Sequence, residues 1–176
     1  MKLIPLKTIS YGPLVSAWCL CTYPNHQDGC KWYLGRESCP PQAPEFPTMY
    51  DTSNYYTITG HNAEMFMLRL KPGREPTIWF GVREFNLGQW VKTQKEKHPH
   101  RSDKQIRIPY LWQPKQEKKL AAEMQIERWT RSYPTEVLIR PEANLVNIFG
   151  TMRAHGHPLE KNPKDRIQLV AIIGKV

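Results

Sequence analysis

The sequence predicts an α/β fold in which one domain, residues 1–176, contains a central sheet with crossover helices and a cysteine-rich loop near the N-terminus. Three observations predict it. Strand-like and helix-like segments alternate over residues 77–176, prolines and turn residues are frequent before residue 77, and all four cysteines lie within residues 19–41. A chain of 176 residues can bury a core of its own, so covalent cross-links are not required for folding.

A strand is predicted at residues 77–85, where aromatic and β-branched residues dominate. Its apolar residues alternate, and one face carries Ile78, Phe80 and Val82. Two later apolar runs, residues 136–140 and 166–173, predict further strands. Before this region, residues 55–60 predict another strand, and residues 61–70 form a short element whose type the pattern leaves open.

Two helices are predicted after the first of these strands. Asn86 is a typical N-cap for a helix that ends near residue 97. Pro114 is tolerated in the first turn of a second helix that continues to about residue 131. Its expected apolar stripe consists of Ala122, Ile126, Trp129 and Tyr133, with Leu120 and Met124 on the other side.

A third helix is predicted to open at Pro141 and to end at Gly156, a typical C-cap. Its apolar face consists of Leu145, Ile148, Phe149 and Met152, at one-turn spacings. The order strand, helix, helix, strand, helix, strand predicts helices that cross over a sheet.

The N-terminus indicates the cellular compartment. Residues 1–18 carry two lysines, but two prolines interrupt their apolar part and no small-residue cleavage site follows, so no signal peptide is expected. No apolar run approaches the length that spans a bilayer, which predicts no membrane partner. We therefore expect a cytoplasmic protein, in which thiols stay reduced and clustered cysteines more often bind metal than form disulfides.

The four cysteines are spaced unevenly. Cys19 precedes Cys21 by two positions, and eight residues separate Cys21 from Cys30 and Cys30 from Cys39. If residues 15–21 are extended, the two first thiols share a face and can reach one site. The chain after them is rich in turn residues, so residues 19–41 are predicted to form a metal-binding loop.

Two metal groups remain open for this loop. Structural zinc usually takes pairs of cysteines with two to four residues between them. No such pair occurs here, because a single residue separates Cys19 from Cys21, although His26 offers a nitrogen ligand. A [4Fe-4S] cluster is larger, accepts thiolates from separated positions and is often bound by a cysteine that precedes proline, as in Cys39-Pro40. The cluster is the favoured cofactor and zinc the alternative. Ligation by Cys21, Cys30 and Cys39 alone leaves an iron open for chemistry, whereas ligation by Cys19 as well closes it.

Two stretches of the chain resemble a known family. Residues 21–41, CTYPNHQDGCKWYLGRESCPP, and residues 140–160, RPEANLVNIFGTMRAHGHPLE, with the closing RIQLVAIIG, resemble uncharacterised predicted metal-binding proteins of bacteria and archaea. That family has a Cys…Cys-x-x-Tyr-Gly…Cys-Pro-Pro motif and a later Glu-Ala…Asn-Val-Phe helix. The matching residues here are Cys21, Cys30, Cys39, Glu142, Ala143, Asn147 and Phe149.

The resemblance implies metal binding, with an iron-sulfur cluster as the expected group, and assigns no reaction. Many members carry a second cysteine-rich stretch before the later helix, whereas this chain has no cysteine after residue 39. At most one metal centre is therefore implied.

The charge of the chain indicates its partners. Twenty-five Lys and Arg against sixteen Asp and Glu give a formal net charge of +9, which favours an anionic substrate such as a nucleotide or nucleic acid. Residues 92–119 concentrate this charge around Tyr110 and Trp112, which predicts a phosphate-binding surface or, alternatively, a solvated helical face. Its candidate phosphate ligands are Lys92, Lys95, Arg101, Lys104, Arg107, Lys115, Lys118 and Lys119.

Other polar residues have weaker assignments. His98 and His100 are candidate ligands or solvated loop residues, and His155 and His157 are candidate acid-base groups or imidazolium ions favoured by a helix C-terminus. Glu142 is a first-turn helix carboxylate or a group that faces the cysteine loop.

Two functions follow from these residues. The first is an iron-sulfur protein whose open iron performs sulfur or redox chemistry on an anionic substrate. The second is a zinc-stabilised nucleic-acid-binding protein without catalysis. Phosphate-loop, dinucleotide-binding and nucleophile-elbow motifs are absent from the sequence.

Overall fold

The computed structural model describes residues 1–21, 27–60, 64–110, 114–160 and 163–176, excepting the side chains of residues 108–110, 114, 115 and 129. Its strands are β1 Lys2–Pro5, β2 Thr8–Tyr11, β3 Tyr55–Thr59, β4 Phe66–Leu70, β5 Ile78–Asn86, β6 Thr135–Leu138 and β7 Arg166–Lys175. Its α-helices are α1 Phe46–Met49, α2 Leu87–Lys97, α3 Asp103–Tyr110, α4 Pro114–Trp129 and α5 Ile148–Ala154. Two 3₁₀ helices span Pro13–Leu20 and Pro141–Asn144.

The strands form two antiparallel sheets. One has four strands in the order β1-β5-β7-β6, and the other has three in the order β2-β4-β3. The chain is therefore a mixture of helices and strands, as predicted, but every pairing of neighbouring strands in the described part is antiparallel. Strands β5 and β6 run in the same direction on either side of β7, and the chain between them contains α2, α3 and α4.

The β5–β7 pair is the centre of the larger sheet. Nine residues of β5 oppose nine of β7, and the predicted apolar face of Ile78, Phe80 and Val82 is buried. Because side chains alternate along a strand, Phe80 and its partner Ile172 face one side of the sheet. Trp79 and its partner Ile173 face the other. Both faces of this pair are covered by apolar side chains.

The larger core lies between the two sheets. Phe80 and Ile172 pack there with Ile9 of β2, Leu68 of β4 and Met152 of α5, all of them almost inaccessible to solvent. Burying large aliphatic and aromatic side chains is the dominant stabilising contribution to folding, at about 1.5–3 kcal/mol for each side chain. The two sheets are therefore held face to face by one apolar layer.

The smaller core attaches α4 to the opposite face of the β5–β7 pair. Leu120 and Met124 pack on Ala171 and Ile173 there. This arrangement corrects the predicted stripe of the helix: Ala122 is exposed, and Ile126 keeps 68% of its surface accessible. The physical reason is the close approach of the helix over Gly81, where an added Cβ would lie 2.5 Å from the Met124 sulfur. Apolar residues occupy both sides of α4, and the side that packs on the sheet is the one with Leu120 and Met124.

The predicted helix over residues 141–156 is also corrected. It is divided into the 3₁₀ helix Pro141–Asn144 and α5, because Leu145 has left-handed backbone angles with φ 68°. Val146 then forms an isolated bridge with Tyr11. The Asn147 side chain caps α5 by accepting a hydrogen bond from Gly150 N–H at 2.8 Å. Gly156 follows the last turn with φ 74°, as a C-cap glycine should.

The segment that carries Cys19 and Cys21 is not a strand. An extended conformation of residues 15–21 was the condition under which these two cysteines would share a face. Most of this segment belongs to the 3₁₀ helix Pro13–Leu20, and only Cys21 after it has extended angles. In a 3₁₀ helix, with three residues per turn, residues two apart point in different directions, so the two thiols do not share a face by strand alternation.

Helix α2 agrees with its prediction. The Asn86 side chain accepts a hydrogen bond from Gln89 N–H at 2.8 Å, and the helix ends at Lys97. Helix α3, between the two predicted helices α2 and α4, was not predicted from the sequence. It contacts α2, and its Ile106 is buried. None of the described helices is long and apolar enough to span a membrane.

Strand β2 is an edge strand of the smaller sheet. Side chains of α5 and of its C-cap, His155, accept hydrogen bonds from backbone amides at this edge. Ser10 N–H donates to Thr151 Oγ1 at 3.0 Å, and Lys7 N–H donates to His155 Nε2 at 2.9 Å. Asn147 N–H donates to the Ser10 carbonyl at 2.8 Å. An uncovered edge strand would expose unpaired backbone groups, so these bonds both protect the edge and fix α5 beside it.

Tyr55 joins the two sheets through its hydroxyl. The group donates to the Leu6 carbonyl at 2.9 Å and accepts from Thr77 N–H at 3.3 Å. Leu6 lies in the connection between β1 and β2, and Thr77 directly precedes β5. One buried hydroxyl therefore satisfies backbone groups next to strands of both sheets.

We expect Tyr55→Phe to lower the free energy of unfolding by about 1–3 kcal/mol, because the Leu6 carbonyl and the Thr77 amide are left without a partner. Urea unfolding monitored by circular dichroism measures the change. Tyr56→Phe is the matched control, since this neighbouring tyrosine is exposed, and its effect should stay within about 0.5 kcal/mol. Equal effects of the two changes would contradict the assigned role.

A second prediction concerns the ion pair between Asp51 and Lys175. The Lys175 ammonium lies 2.7 Å from the carboxylate and lowers the pKa of Asp51 to about 2, helped by hydrogen bonds from Ser53. A depressed pKa stabilises the fold above the unfolded-state value near 3.8, and that contribution is lost as pH falls toward 2. Asp51→Asn should therefore flatten the fall of unfolding free energy between about pH 4 and 2. Glu160→Gln, which removes an exposed carboxylate, should leave that slope unchanged.

Candidate metal centre

The first wall of the candidate site is the 3₁₀ helix Pro13–Leu20. It follows β2 directly and starts with a proline, which is tolerated where no backbone donor is needed. Val15 anchors it in the interior, and the Trp18 ring meets Phe149 of α5 edge to face with centroids 6.0 Å apart. Cys19 is thus carried on a segment that is packed on its inner side, whereas Cys21 is exposed just after it.

The second wall is the backbone around Gly29 and Cys30. Cys30 N–H donates to the Cys19 carbonyl at 2.6 Å, which joins two segments of the cysteine loop. Gly29 has φ 82°, and an added Cβ there would lie 2.5 Å from the Cys19 carbonyl oxygen. Only glycine combines this backbone angle with so close an approach. This contact places Cys30 next to Cys19.

The third wall is a series of turns that leads to Cys39. Tyr33 N–H donates to the Cys30 carbonyl and Cys39 N–H to the Arg36 carbonyl, each at 3.0 Å. The Arg36 guanidinium stacks on the Trp32 ring at 3.3 Å from its centroid, a cation–π contact that stabilises the outer side of these turns. Cys30 and Cys39 are partly buried, and all four cysteines are free thiols.

The environment of Cys19 raises the pKa of its thiol. Desolvation is the main cause, and repulsion from Cys30, Cys39, Glu142 and Cys21 adds to it. The bond from Cys30 N–H to the Cys19 carbonyl and the contact between the two 3₁₀ helices are the interactions that bring these segments of the chain together.

Glu142 lies on the 3₁₀ helix Pro141–Asn144, which contacts the 3₁₀ helix Pro13–Leu20. The residue is exposed overall, so its raised pKa reflects a carboxyl that neighbouring protein has partly dehydrated rather than one that is fully enclosed. It is both a first-turn carboxylate and a group near the cysteines, two interpretations that the sequence presented as alternatives.

Arg140 and Glu117 are site neighbours that sequence reasoning missed. The Arg140 guanidinium donates to the Glu117 carboxylate at 2.8 Å, which is the main cause of its raised pKa, and Glu142 and Cys39 act on it in the same direction. A cation thus lies near Cys39. No sequence pattern could have revealed it, because Arg140 and Cys39 meet only through the packing of residues 140–144 on the cysteine region.

No group of three or more His, Cys, Asp or Glu side chains within the described ranges is arranged to hold one metal ion. The described thiols therefore do not form the closed tetrahedral site that structural zinc requires. His26, the candidate nitrogen ligand, lies outside the described residues.

The predicted phosphate ligands lie elsewhere, on α2, α3 and α4 and, for Arg101, between α2 and α3. Those with exposed side chains are Lys92, Arg101, Lys104, Lys118 and Lys119. Lys95 is used internally, since its ammonium donates to the Arg101 carbonyl at 2.6 Å and lies 3.4 Å from Asp103. Arg107 is half-buried, and the Lys115 and Tyr110 side chains and all of Trp112 lie outside the described part.

The histidines among the described residues form three separate arrangements. His98 and His100 meet edge to face between α2 and α3, with centroids 6.2 Å apart. His155 Nε2 accepts a hydrogen bond from a backbone amide, which requires an unprotonated nitrogen and so does not fit the imidazolium, one of the two interpretations of this residue. His157 Nε2 lies 3.3 Å from the Lys2 ammonium.

No protein-family model, curated protein or solved structure matches the chain. The chemistry of the cysteine site therefore has to be inferred from its own residues.

We expect Gly29→Ala to open the cysteine site, because the added methyl group collides with the Cys19 carbonyl and breaks the bond from Cys30 N–H. Hydrogen exchange at the Cys30 amide, followed by NMR, should accelerate by an order of magnitude or more. Gly73→Ala is the control: its φ of 71° creates the same backbone strain, but no atom lies within 4 Å of the added Cβ. A protected Cys30 amide in the Gly29 variant would contradict the close contact.

Proposed function

We propose that the protein binds an iron-sulfur cluster of the [4Fe-4S] type through Cys21, Cys30 and Cys39. The observation that carries this proposal is the hydrogen bond from Cys30 N–H to the Cys19 carbonyl, which closes the two halves of the cysteine loop on each other. A four-iron cubane is larger than one ion and accepts thiolates from separated positions of a loop, such as these three evenly spaced cysteines. When bound, such a cluster transfers electrons or offers an iron to a substrate atom.

The protein's own residues have defined parts in this proposal. Cys21, Cys30 and Cys39 supply thiolates, and Cys19, which lies among them, is available as a fourth ligand. Trp18 and Phe149 cover one side of the segment with aromatic surface. The Arg140 guanidinium lies near Cys39 and compensates negative charge of the thiolates.

The proposed substrate is anionic, such as a nucleotide or nucleic acid, and the proposed chemistry is sulfur transfer or redox. The net charge of +9 supports this part of the proposal. We also propose a cytoplasmic location, supported by four cysteines that are all unpaired.

The resemblance of residues 21–41 to predicted metal-binding proteins supports the proposed metal centre.

The alternative function is a zinc-stabilised protein that binds nucleic acid without catalysis. The exposed cations of α2, α3 and α4, which lie outside the cysteine region, favour this alternative. In that case the thiols would have to move closer together to hold zinc, because their present arrangement holds no single ion. The two functions therefore differ in the metal that the purified protein contains.

Protein purified without oxygen is expected to be brown, to absorb near 400 nm and to contain iron and acid-labile sulfide in equal amounts. Cys30→Ser should abolish the absorption, because it removes a ligand at the contact between the two halves of the loop. Metal and sulfide analysis with visible spectroscopy measures both. Ser38→Ala, an exposed change next to Cys39, is the control and should keep the full absorption.

The Cys19→Ser variant decides the role of the fourth thiol. Retention of the cluster would mean that three cysteines suffice and that one iron is open, whereas loss would mean a closed cluster. Colourless protein with stoichiometric zinc would contradict the cluster and support the alternative function. Protein without any metal would contradict both.

A further inference from the structure

A second candidate site lies in a cleft next to the three-stranded sheet. The cleft has a volume of ≈ 430 Å³ and lies between the β1–β2 connection and the turn at residues 71–76. Four cationic residues line it, with Glu75 as the single acidic one: Lys7, Arg69, Lys71 and Arg74. None of these residues belongs to the cysteine site or to the basic helices.

Three of these cations have no carboxylate partner in the described part of the chain. The five ion pairs in the described part of the chain all involve other basic residues. The side chains of Lys7, Arg69 and Arg74 are all exposed. The residues outside the described part include no Asp or Glu, so they hold no carboxylate that could pair with these side chains. Four cationic residues therefore share the cleft with one carboxylate, Glu75, which leaves an excess of positive charge there.

The backbone around the cleft is well ordered by hydrogen bonds. Leu70 N–H donates to the Lys7 carbonyl at 2.8 Å, and Lys71 N–H donates to the Asn54 carbonyl at 2.9 Å. The Asn54 side chain donates to the Glu75 carbonyl at 3.0 Å. The Lys71 ammonium donates to the Ser53 carbonyl at 2.7 Å, which holds this side chain across the turn. The cationic residues are therefore supported by bonds on both sides of the cleft.

We propose that this cleft binds a small phosphorylated ligand through a diphosphate group. A guanidinium donates two parallel hydrogen bonds to phosphate oxygens, and an ammonium adds a point charge, so two arginines and two lysines suit four or more phosphate oxygens. The volume lies in the range of small-molecule sites. The inference depends on the residues of this cleft alone and holds whether or not the cysteines bind metal.

A small ligand is favoured over a nucleic-acid strand because the cations that line the cleft come from two short segments, residues 7–8 and 69–76. Leu70, Pro72 and Pro76 form apolar parts of its wall, and two of them are prolines with restricted backbone angles. A strand of nucleic acid would need a continuous cationic path beyond the cleft. The cleft itself has room for a nucleotide diphosphate or a free diphosphate, which share the same recognition chemistry.

The test is calorimetric titration of the as-purified full chain with inorganic pyrophosphate, with ADP and with a twelve-nucleotide single-stranded DNA. Pyrophosphate or ADP should bind with one site per chain, and binding should weaken with added salt. The double variant Arg69→Gln, Arg74→Gln should weaken binding by about a hundredfold or more, since it removes both guanidinium groups that donate charged hydrogen bonds to the phosphate oxygens. The control variant, Lys97→Gln, Lys164→Gln, changes the net charge equally at exposed positions outside the cleft.

The outcomes separate this inference from the proposed metal centre. Equal affinity for pyrophosphate and ADP identifies the diphosphate as the recognised group, and tighter binding of ADP adds a contact to the nucleoside. Unchanged binding in the arginine variant, an equal loss in the control, or binding of DNA alone would each overturn the inference. Repeating the titration with Cys30→Ser should give the same affinity, so failure of the metal proposal leaves this result intact.

Discussion

The pairing of β5 with β7 is the constraint on which the rest of the structure depends. Nine opposed residues fix one register, and a shift by one residue would exchange the two faces of the sheet. On one face, Phe80 and Ile172 meet the three-stranded sheet, and on the other, Ala171 and Ile173 meet α4. Gly81 allows Met124 to approach the sheet closely, so the position of α4 is set by this same register.

The cysteine site depends on the first of these faces. Once the three-stranded sheet is packed there, α5 covers the edge of β2 through Thr151 and His155. The chain that enters α5 is thereby held beside the chain that leaves β2, and the two 3₁₀ helices Pro13–Leu20 and Pro141–Asn144 come into contact. The cysteines consequently meet Glu142, a residue more than a hundred positions away. The site is a consequence of how β2 and α5 are joined.

The two candidate sites have opposite electrostatic character. Burial and neighbouring groups that become negative when ionised raise the pKa of the Cys19 thiol, an effect that a bound cation would oppose. In the cleft beside β4, Arg69 and Arg74 concentrate positive charge, a condition that a bound anion relieves. They lie on different segments of the chain, so a metal centre and a phosphorylated ligand could be bound at the same time by one fold.

The sequence by itself determined the elements whose signals are local. Strand β5 followed from alternating apolar residues, and the ends of α2 and α5 followed from Asn86 and Gly156, because caps act through bonds to the adjacent turn. The cysteines were also predicted to form a candidate site from their positions in the sequence. Tertiary structure decided the 3₁₀ geometry before Cys21, the buried face of α4, the approach of Glu142 and Arg140 to the cysteines, and the cationic cleft. Each of these depends on contacts between segments distant in the chain, which periodicity within one segment does not encode.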